Sequence, residues 1–365
     1  MAASLFANSF AVCFLVCFTL GASPPDNPVA PPRYQINLDL PEEQRWTELM
    51  KNYAQIGPDA YNVIYSYVHS LPPPLPNITI KVIEMVAADV DQYLPSPYAA
   101  EMRGIAKSLN IDLGLIVGMN ILYDVTAFCT SIVMQDSKGV IWHARNLDYS
   151  YTDMLRNITV QVDFIQNNKT VYSGVTYAGY VGLLTGMRPK AFTITIDERD
   201  QGAWWENFLI GIIDRKAEPI GFLIRDVLAN ETTFESAVKR LSFTTTEASA
   251  YFIVGGVGKD EGVVITKGRI APVDTWQLDT ANGRWYEVET NYDHWGPVPK
   301  TDDRRDPANK KMVAMGQNVT VDNLFDVMST VPVLNDDTTY TIIMSASQPD
   351  ITKVWIRNCH TCPKT

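Results

Sequence analysis

The pattern of apolar and polar residues changes character near residue 129. Before that point, apolar residues recur at the spacing of amphipathic helices over residues 41–70, 78–94, 97–110 and 112–127. Two proline-rich stretches, 24–33 and 71–76, interrupt this pattern because proline does not continue a helix. The first third of the chain is therefore predicted to be mostly helical.

After residue 129 the pattern favours short β-strands separated by turn signals such as "DSKG" and "QNNK". Strands are predicted at 130–135, 140–146, 158–166, 169–182, 191–199, 250–256, 261–268, 273–279, 284–292 and 339–347. Helices are predicted at 206–215, 220–230, 233–241 and 321–331. Helices that surround a strand-rich centre indicate a layered α+β fold.

The N-terminus carries the pattern of a secretory signal peptide, which we place at residues 1–22. An apolar run from Phe10 to Leu20 is followed by the small residues Gly21, Ala22 and Ser23. No later stretch has the 18 or so consecutive apolar residues of a membrane span. We therefore expect a luminal or secreted protein.

Composition and modification signals agree with that expectation. Hydrophobic residues make up 46% and charged residues 19%, which is typical of a globular protein. The formal net charge of −11 argues against a nucleic-acid partner, because such proteins present basic patches. Five Asn-X-Thr sequons predict surface glycosylation sites at Asn77, Asn157, Asn168, Asn230 and Asn318.

Three cysteines remain after the signal peptide, and an odd count leaves one unpaired thiol or an intermolecular bond. Cys359 and Cys362 are close enough to pair, which leaves Cys129 free. "CHTC" also raises a redox or a zinc interpretation. A redox CxxC opens a helix after a strand, and zinc needs further ligands, of which only His360 is near. We favour a structural disulfide.

A cysteine thiol becomes a nucleophile when a base lies close to it. One candidate base is a histidine, His143 or His294. The other is the α-amino group of Cys129 itself, which cleavage of the preceding bond would create. Asp148 would then orient the amine, and Arg145 would lower the pKa of the thiol. The competing interpretations are a buried structural cysteine and a surface ion pair.

Several motifs carry a resemblance to a known family. "CTSIV", "HARNLDY", "DERDQGAWWEN", "VETNYDHW" and "DDRR" resemble the acid amidase–acid ceramidase family, and the likeness runs from about residue 36 to 358. The resemblance implies a four-layer αββα N-terminal-nucleophile hydrolase fold. It also implies self-cleavage between Phe128 and Cys129. The products would be a helical α-chain, residues 23–128, and a catalytic β-chain, residues 129–365.

The resemblance also implies roles for individual residues. Cys129 matches the nucleophile, and Arg145 and Asp148 match the polar pair beside it. Asn291 matches the residue that holds the oxyanion, although a turn-capping role is the alternative. Further active-site positions match Glu198 and Arg304, for which structural roles are the alternative. No cofactor and no metal are expected.

The implied activity is hydrolysis of fatty-acid ethanolamides, such as palmitoylethanolamide, at acidic pH in the lysosome lumen. The alternatives are a ceramide hydrolase and a non-catalytic lipid-binding glycoprotein. Contact with membrane lipids is expected from the apolar faces of residues 61–68 and 80–85, unless these faces pack inside the α-chain. Two interpretations remain for Trp204, Trp205, Phe208 and Leu209: they line a channel for the acyl chain, or they pack in the hydrophobic core.

Overall fold

Two β-sheets form the centre of the molecule. The computed structural model describes residues 26–69, 71, 73–122, 127–199 and 217–364. The strands are β1 Arg33–Asn37, β2 Ala127–Gln135, β3 Ile141–Tyr149, β4 Thr159–Gln166, β5 Lys169–Tyr177, β6 Thr185–Arg188, β7 Phe192–Glu198, β8 Ala250–Gly255, β9 Gly262–Lys267, β10 Pro272–Gln277, β11 Tyr286–Glu289, β12 Thr338–Met344 and β13 Lys353–Ile356.

In the described part of the chain, these strands form one eight-stranded and one five-stranded sheet. Their orders are β1-β4-β5-β6-β7-β8-β9-β10 and β11-β2-β3-β12-β13. The pairing of β1 with β4 is parallel, and the other pairs are antiparallel. β2 packs across the interface against β7 and β8. All residues of β3, β8, β9 and β12 are buried, because both faces of these strands are covered.

Helices cover the outer faces of both sheets. The helices are α1 Thr47–Met50, α2 Ile56–His69, α3 Leu75–Ala88, α4 Val90–Tyr93, α5 Tyr98–Leu109, α6 Leu113–Leu122, α7 Thr152–Ile158, α8 Ile220–Asn230, α9 Phe234–Phe243, α10 Arg305–Met315 and α11 Val321–Met328. α8 and α9 pack on the eight-stranded sheet, and α10 and α11 pack on the five-stranded sheet. This arrangement confirms the predicted α+β fold with αββα layers.

The N-terminal segment is anchored to the rest of the chain by buried polar contacts. Arg225 of α8 donates two hydrogen bonds to the Glu101 carboxylate of α5, at 2.5 and 2.7 Å. Trp46 Nε1 donates to the same carboxylate at 2.6 Å. At the other end, Arg357 binds Asp26 through two bonds of 2.7 and 2.9 Å. The helical segment is thus joined to both sheets.

Five elements were not predicted from the sequence: β1, β6, β13, α7 and α10. β1, β6 and β13 have only four or five residues each, so a two-residue alternation has little length in which to show. α10 buries only Arg305, Ala308 and Met312, which gives a weak amphipathic signal. The predicted signal peptide and the predicted helix 206–215 lie outside the described residues.

None of the helices in the described part of the chain has both the length and the apolar character that crossing a bilayer requires.

Candidate active site

The β2–β3 hairpin places Cys129 and Arg145 on one face. Cys129 pairs with Leu147, and Ser131 pairs with Arg145, so the side chains of all four point into the space between the sheets. Arg145 Nη2 lies 2.9 Å from Cys129 Sγ. Both side chains are fully buried. The register of the hairpin thus places the Arg145 guanidinium beside the Cys129 thiol, as predicted.

The guanidinium of Arg145 is held from several directions. Nη1 donates to Leu184 O and to Thr185 Oγ1, each at 2.5 Å. Nη2 donates to Ile196 O at 2.8 Å in addition to its contact with the thiol. These acceptors belong to β6, β7 and the residue before β6, so the eight-stranded sheet fixes the charge beside a sulfur atom of the five-stranded sheet.

In the uncleaved chain, the surroundings of Cys129 disfavour ionisation of its thiol. Burial raises the pKa of Cys129 well above its usual range, and the charge of Arg145 opposes this effect only in part. A neutral thiol is a weak nucleophile. Efficient turnover therefore requires a base close to the sulfur atom.

The backbone of Cys129 is bound on both sides by side chains distant in sequence. Its amide nitrogen donates to Asn291 Oδ1 at 2.9 Å, and its carbonyl accepts from Arg304 Nη1 at 2.6 Å. Arg304 Nη2 also donates to Asn291 Oδ1, at 2.8 Å. Asn291 Nδ2 donates to the backbone carbonyl of Glu198 at 2.8 Å. Because Oδ1 accepts two hydrogen bonds and Nδ2 donates one, the orientation of the Asn291 amide is fixed.

Asp148 lies on the opposite face of β3 from Arg145. Its register partner is Phe128, the residue before Cys129. Asp148 Oδ2 accepts from Arg304 Nη1 at 3.2 Å, the same nitrogen that binds the Cys129 carbonyl. Burial raises the pKa of Asp148, and Arg304 opposes the shift. The structure thus brings Asp148 to the backbone of Cys129, while Arg145 faces its side chain.

Of the remaining candidates, Arg304 is central and Glu198 is peripheral. Arg304 is fully buried and also binds Asp302 through two bonds of 2.6 Å. Glu198 is partly buried, and its backbone carbonyl accepts the hydrogen bond from Asn291 Nδ2. That contact does not depend on the identity of the Glu198 side chain.

Sequence reasoning missed two buried residues of this region. Asp197, which precedes Glu198, accepts from Ser131 Oγ at 2.7 Å, and burial raises the pKa of Asp197 to about 7. Asn335 donates from Nδ2 to Asp148 Oδ2 at 2.8 Å. Asp197 lies inside a recognised motif, whereas Asn335 lies in a turn before β12 with no local signal.

The histidine alternatives are wrong for this geometry. His143 shares the inner face with Arg145, but its two ring nitrogens contact Thr193 and Thr195 at 2.9 and 3.0 Å. Burial lowers the pKa of His143 to about 3, which makes it a poor base. His294 stacks on Trp276 with ring centroids 4.1 Å apart. No hydrogen bond between a histidine and Cys129 occurs among the described residues.

The other predicted sites lie away from this centre. Cys359 and Cys362 form a disulfide, so the favoured interpretation of "CHTC" is confirmed. No group of three or more potential metal ligands occurs in the described ranges. All five sequon asparagines are exposed. Trp204, Trp205, Phe208 and Leu209 lie outside the described residues.

An apolar groove of about 430 Å³ lies between α2, α3 and the start of α6. Tyr61 and Tyr65 on its rim are 57% and 50% exposed, whereas Val68 and Ile83 are buried. The two helical faces singled out in the sequence are therefore divided between solvent and the interior.

Two family descriptions match the chain. Linear amide C–N hydrolases of the choloylglycine hydrolase family match residues 129–320, a region that begins at Cys129 itself. The beta subunit of N-acylethanolamine-hydrolyzing acid amidase matches residues 29–94. The second description thus gives the letter beta to the segment that we name the α-chain. The chain belongs to the choloylglycine hydrolase family and is a hydrolase of linear amide bonds.

Individual relatives agree with the expected resemblance. N-acylethanolamine-hydrolyzing acid amidase of Mus musculus is 44% identical over 91% of this chain and 90% of that protein. Acid ceramidase of Homo sapiens is 38% identical over 92% and 89%. A solved structure of the Caenorhabditis elegans N-acylethanolamine-hydrolyzing acid amidase ortholog is 40% identical, covers 62% of this chain and 99% of that chain, and has a TM-score of 0.58.

Proposed function

We propose that this chain is the precursor of a cysteine amidase that hydrolyses fatty-acid ethanolamides, the N-acylethanolamines. The observation that carries the proposal is the binding of Cys129 through all three of its polar groups. Asn291 holds its amide nitrogen, Arg304 its carbonyl oxygen and Arg145 its sulfur atom. Three side chains thus fix the position of Cys129, and no histidine among the described residues binds its thiol. This arrangement suits a nucleophile that uses its own α-amine as the base.

Maturation would begin at the bond between Phe128 and Cys129. Cys129 Sγ attacks the Phe128 carbonyl carbon, the C–N bond breaks, and the nitrogen takes up the thiol proton. The resulting thioester is hydrolysed by water to a Phe128 carboxylate and a free thiol. Cys129 then begins the β-chain, residues 129–365, with its own α-amine as the base. An unperturbed α-amine has a pKa of about 7.7–8.0, well below that of lysine.

Turnover would repeat this chemistry on the lipid amide. The Cys129 sulfur attacks the amide carbonyl, and the α-amine transfers the thiol proton to the departing ethanolamine nitrogen. Asn291 Nδ2 would donate a hydrogen bond to the developing oxyanion, in addition to the one that it donates to the Glu198 carbonyl. Water then releases the fatty acid from the thioester. Asp148, beside the Cys129 backbone, would orient the amine.

Ceramide hydrolysis is the second candidate, because the acid ceramidase of Homo sapiens shares 38% identity with nearly the whole chain. The higher identity of 44% with an N-acylethanolamine-hydrolyzing amidase favours ethanolamides. A non-catalytic lipid-binding glycoprotein is disfavoured, since lipid binding alone would not need a buried Arg145 aimed at a buried thiol.

The cellular setting belongs to the same proposal. The expected signal peptide, residues 1–22, would lead the chain to the lysosome lumen, with glycans on the exposed sequons Asn77, Asn157, Asn168, Asn230 and Asn318. The two cleaved chains would remain associated through Glu101 and Arg225. The exposed rim of the α2–α3 groove would contact membrane lipids, where the substrate is dissolved.

The test is intact mass and N-terminal sequencing of the secreted protein before and after acidification, with Cys129→Ala as the control. We expect a new N-terminus that begins Cys-Thr-Ser-Ile in the parent protein and not in the variant. The processed protein is then assayed with a fatty-acid ethanolamide and with a ceramide. A chain that stays whole in acid, like the variant, overturns the proposed mechanism; faster hydrolysis of the ceramide overturns the substrate assignment.

A further inference from the structure

Asp148 is bound unequally at its two oxygen atoms. Oδ2 accepts from Arg304 Nη1 at 3.2 Å and from Asn335 Nδ2 at 2.8 Å. Oδ1 is buried without a hydrogen-bond partner among the described residues. A buried oxygen that lacks a donor carries a desolvation cost unless a partner arrives. Arg304 and Asn335 thus bind only Oδ2 and leave Oδ1 of Asp148 available. Asp148 pairs with Phe128, the residue before Cys129, in the hairpin register.

Asn335 is held rigidly in the position from which it donates. It is fully buried in the turn that leads into β12. Its backbone nitrogen donates to Thr338 Oγ1 at 3.1 Å, and its Oδ1 accepts from the backbone nitrogen of Asp337 at 2.9 Å. Because Oδ1 is already an acceptor, Nδ2 must be the atom that faces Asp148.

The turn itself is clamped by neighbouring backbone. Tyr149 N donates to Asp337 O at 2.9 Å, which joins the turn to the end of β3. Asp336 N donates to Pro363 O at 2.9 Å, which joins it to the segment after the disulfide. The amide of Asn335 is therefore supported from two directions, and neither support comes from Asp148.

Arg304 divides its donors between Asp148 and other partners. Its Nε and Nη2 each bind Asp302 at 2.6 Å, and its Nη1 is shared between Asp148 and the Cys129 carbonyl. The 2.8 Å bond from Asn335 is shorter than the 3.2 Å contact with Arg304. The hydrogen bond from Asn335 therefore adds to the charge of Arg304 and to the contact with Thr338 in favouring the ionised carboxylate.

We propose that Asn335 is a positioning residue that keeps Asp148 ionised and directs Oδ1 toward the α-amine that cleavage before Cys129 creates. This inference rests on the proposed function, because it assigns the free oxygen to that amine. An ammonium group would supply the donor that Oδ1 lacks and would place a positive charge against the carboxylate. Asn335 would then act on the nucleophile through Asp148 without contacting substrate.

The charged and titratable groups around Asp148 belong to several elements. Those that interact with it are Arg304 before α10, Asp337 before β12, Cys129 on β2 and Asp197 on β7; Asp302 binds Arg304. Among these, Asp337 and Asp197 disfavour ionisation of Asp148, and Arg304 favours it. Thr338 and Asn335 are its neutral hydrogen-bonding neighbours and also favour ionisation.

The experiment compares Asn335→Asp and Asn335→Ala with the parent enzyme and with Asp336→Asn, a matched control in the same turn. The readouts are the pH profile of kcat/KM on a fatty-acid ethanolamide and the extent of cleavage before Cys129. In Asn335→Asp, two carboxylates share one site, so we expect the acid limb to move upward by about one pH unit or more. Asn335→Ala should shift the limb in the same direction, and Asp336→Asn should not.

A second readout does not require activity. In the uncleavable Cys129→Ala background, Asn335→Ala should lower the free energy of unfolding more as the pH rises, because the Asn335 amide donor stabilises the ionised form of Asp148 more than the protonated form. A loss of rate or stability that is the same at every pH would overturn the inference. If the parent enzyme neither cleaves itself nor hydrolyses the amide, the proposed function fails instead, and the unfolding measurement still decides the role of Asn335.

Discussion

The carbonyl oxygen of Cys129 accepts a hydrogen bond of 2.6 Å from Arg304 Nη1, across 175 residues of sequence. The same guanidinium binds Asn291, Asp148 and Asp302. The planar guanidinium of arginine has enough N–H donors to hold these groups at once. A lysine ammonium could not do so, because it is a compact point charge. The residue immediately before α10 therefore fixes the end of the strand that carries Cys129.

We expect Arg304→Lys to lower kcat/KM by about 10²-fold and to slow self-cleavage, because the variant loses the fork that orients Cys129 and Asp148. The measurement is steady-state kinetics on the processed enzyme together with a time course of precursor cleavage. Lys310→Gln, an exposed change on the same helix, is the control. Cleavage and turnover at the parent rate in Arg304→Lys would contradict the assignment.

Asn291→Asp separates the two functions of the Asn291 amide. The variant keeps an acceptor for the Cys129 amide nitrogen and loses the donor that would hold an oxyanion. We expect kcat to fall by about 10²–10³-fold with KM little changed, because the lost interaction exists only in the transition state. Steady-state kinetics with Asn358→Asp as control checks this. A raised KM with an unchanged kcat would show that Asn291 binds the ground state instead.

Removal of the Glu101 charge should weaken the junction between α5 and α8. Arg225 and Glu101 are both buried, so Glu101→Gln leaves the guanidinium without its counterion, and we expect a loss of about 3–5 kcal/mol in the free energy of unfolding. Urea denaturation of the Cys129→Ala precursor measures this loss. The control is Glu43→Gln, which removes an exposed ion pair with Arg103 and should cost about 0–1 kcal/mol. Equal losses in the two variants would refute a special role for the buried pair.

Buried carboxyl groups should make the fold more stable in acid than at neutral pH. Burial raises the pKa of Asp197 to about 7 and that of Glu287 to about 9. Each group binds a proton more tightly in the folded state. Its contribution to stability is therefore complete below the unfolded pKa, about 4, and is lost as the pH rises toward the folded value.

In the Cys129→Ala precursor, we expect the melting temperature to fall between pH 4 and pH 8. The free energy of unfolding should fall by at most about 1.4 kcal/mol per pH unit for each group. Asp197→Asn and Glu287→Gln should flatten this dependence, because neither amide titrates. Calorimetry across the pH range makes the comparison, with the exposed change Glu84→Gln as the reference. A pH dependence that is unaltered in both buried variants would reject this source of acid stability.

The sequence by itself determined the classes of most elements, since the long strands and helices carry their own two- and 3.6-residue periods. It also led to Cys129, Arg145, Asp148, Asn291 and Arg304, because their motifs resemble those of a known family. The disulfide was predicted from the separation of Cys359 and Cys362 and from the poor fit of a redox or zinc motif. These properties depend on residues that are near one another in the chain.

Tertiary structure decided how those residues meet. The hairpin register places Arg145 against the sulfur atom of Cys129 and Asp148 on the opposite face, a distinction that depends on strand pairing. Asn335 and Asp197 reach this centre from a turn and a neighbouring sheet, and only Asp197 lies within a motif singled out in the sequence. The edge strand β1 forms because β4 offers it a partner, not because five residues specify a strand. Contacts between distant segments are set by packing and backbone pairing, which a local sequence pattern does not contain.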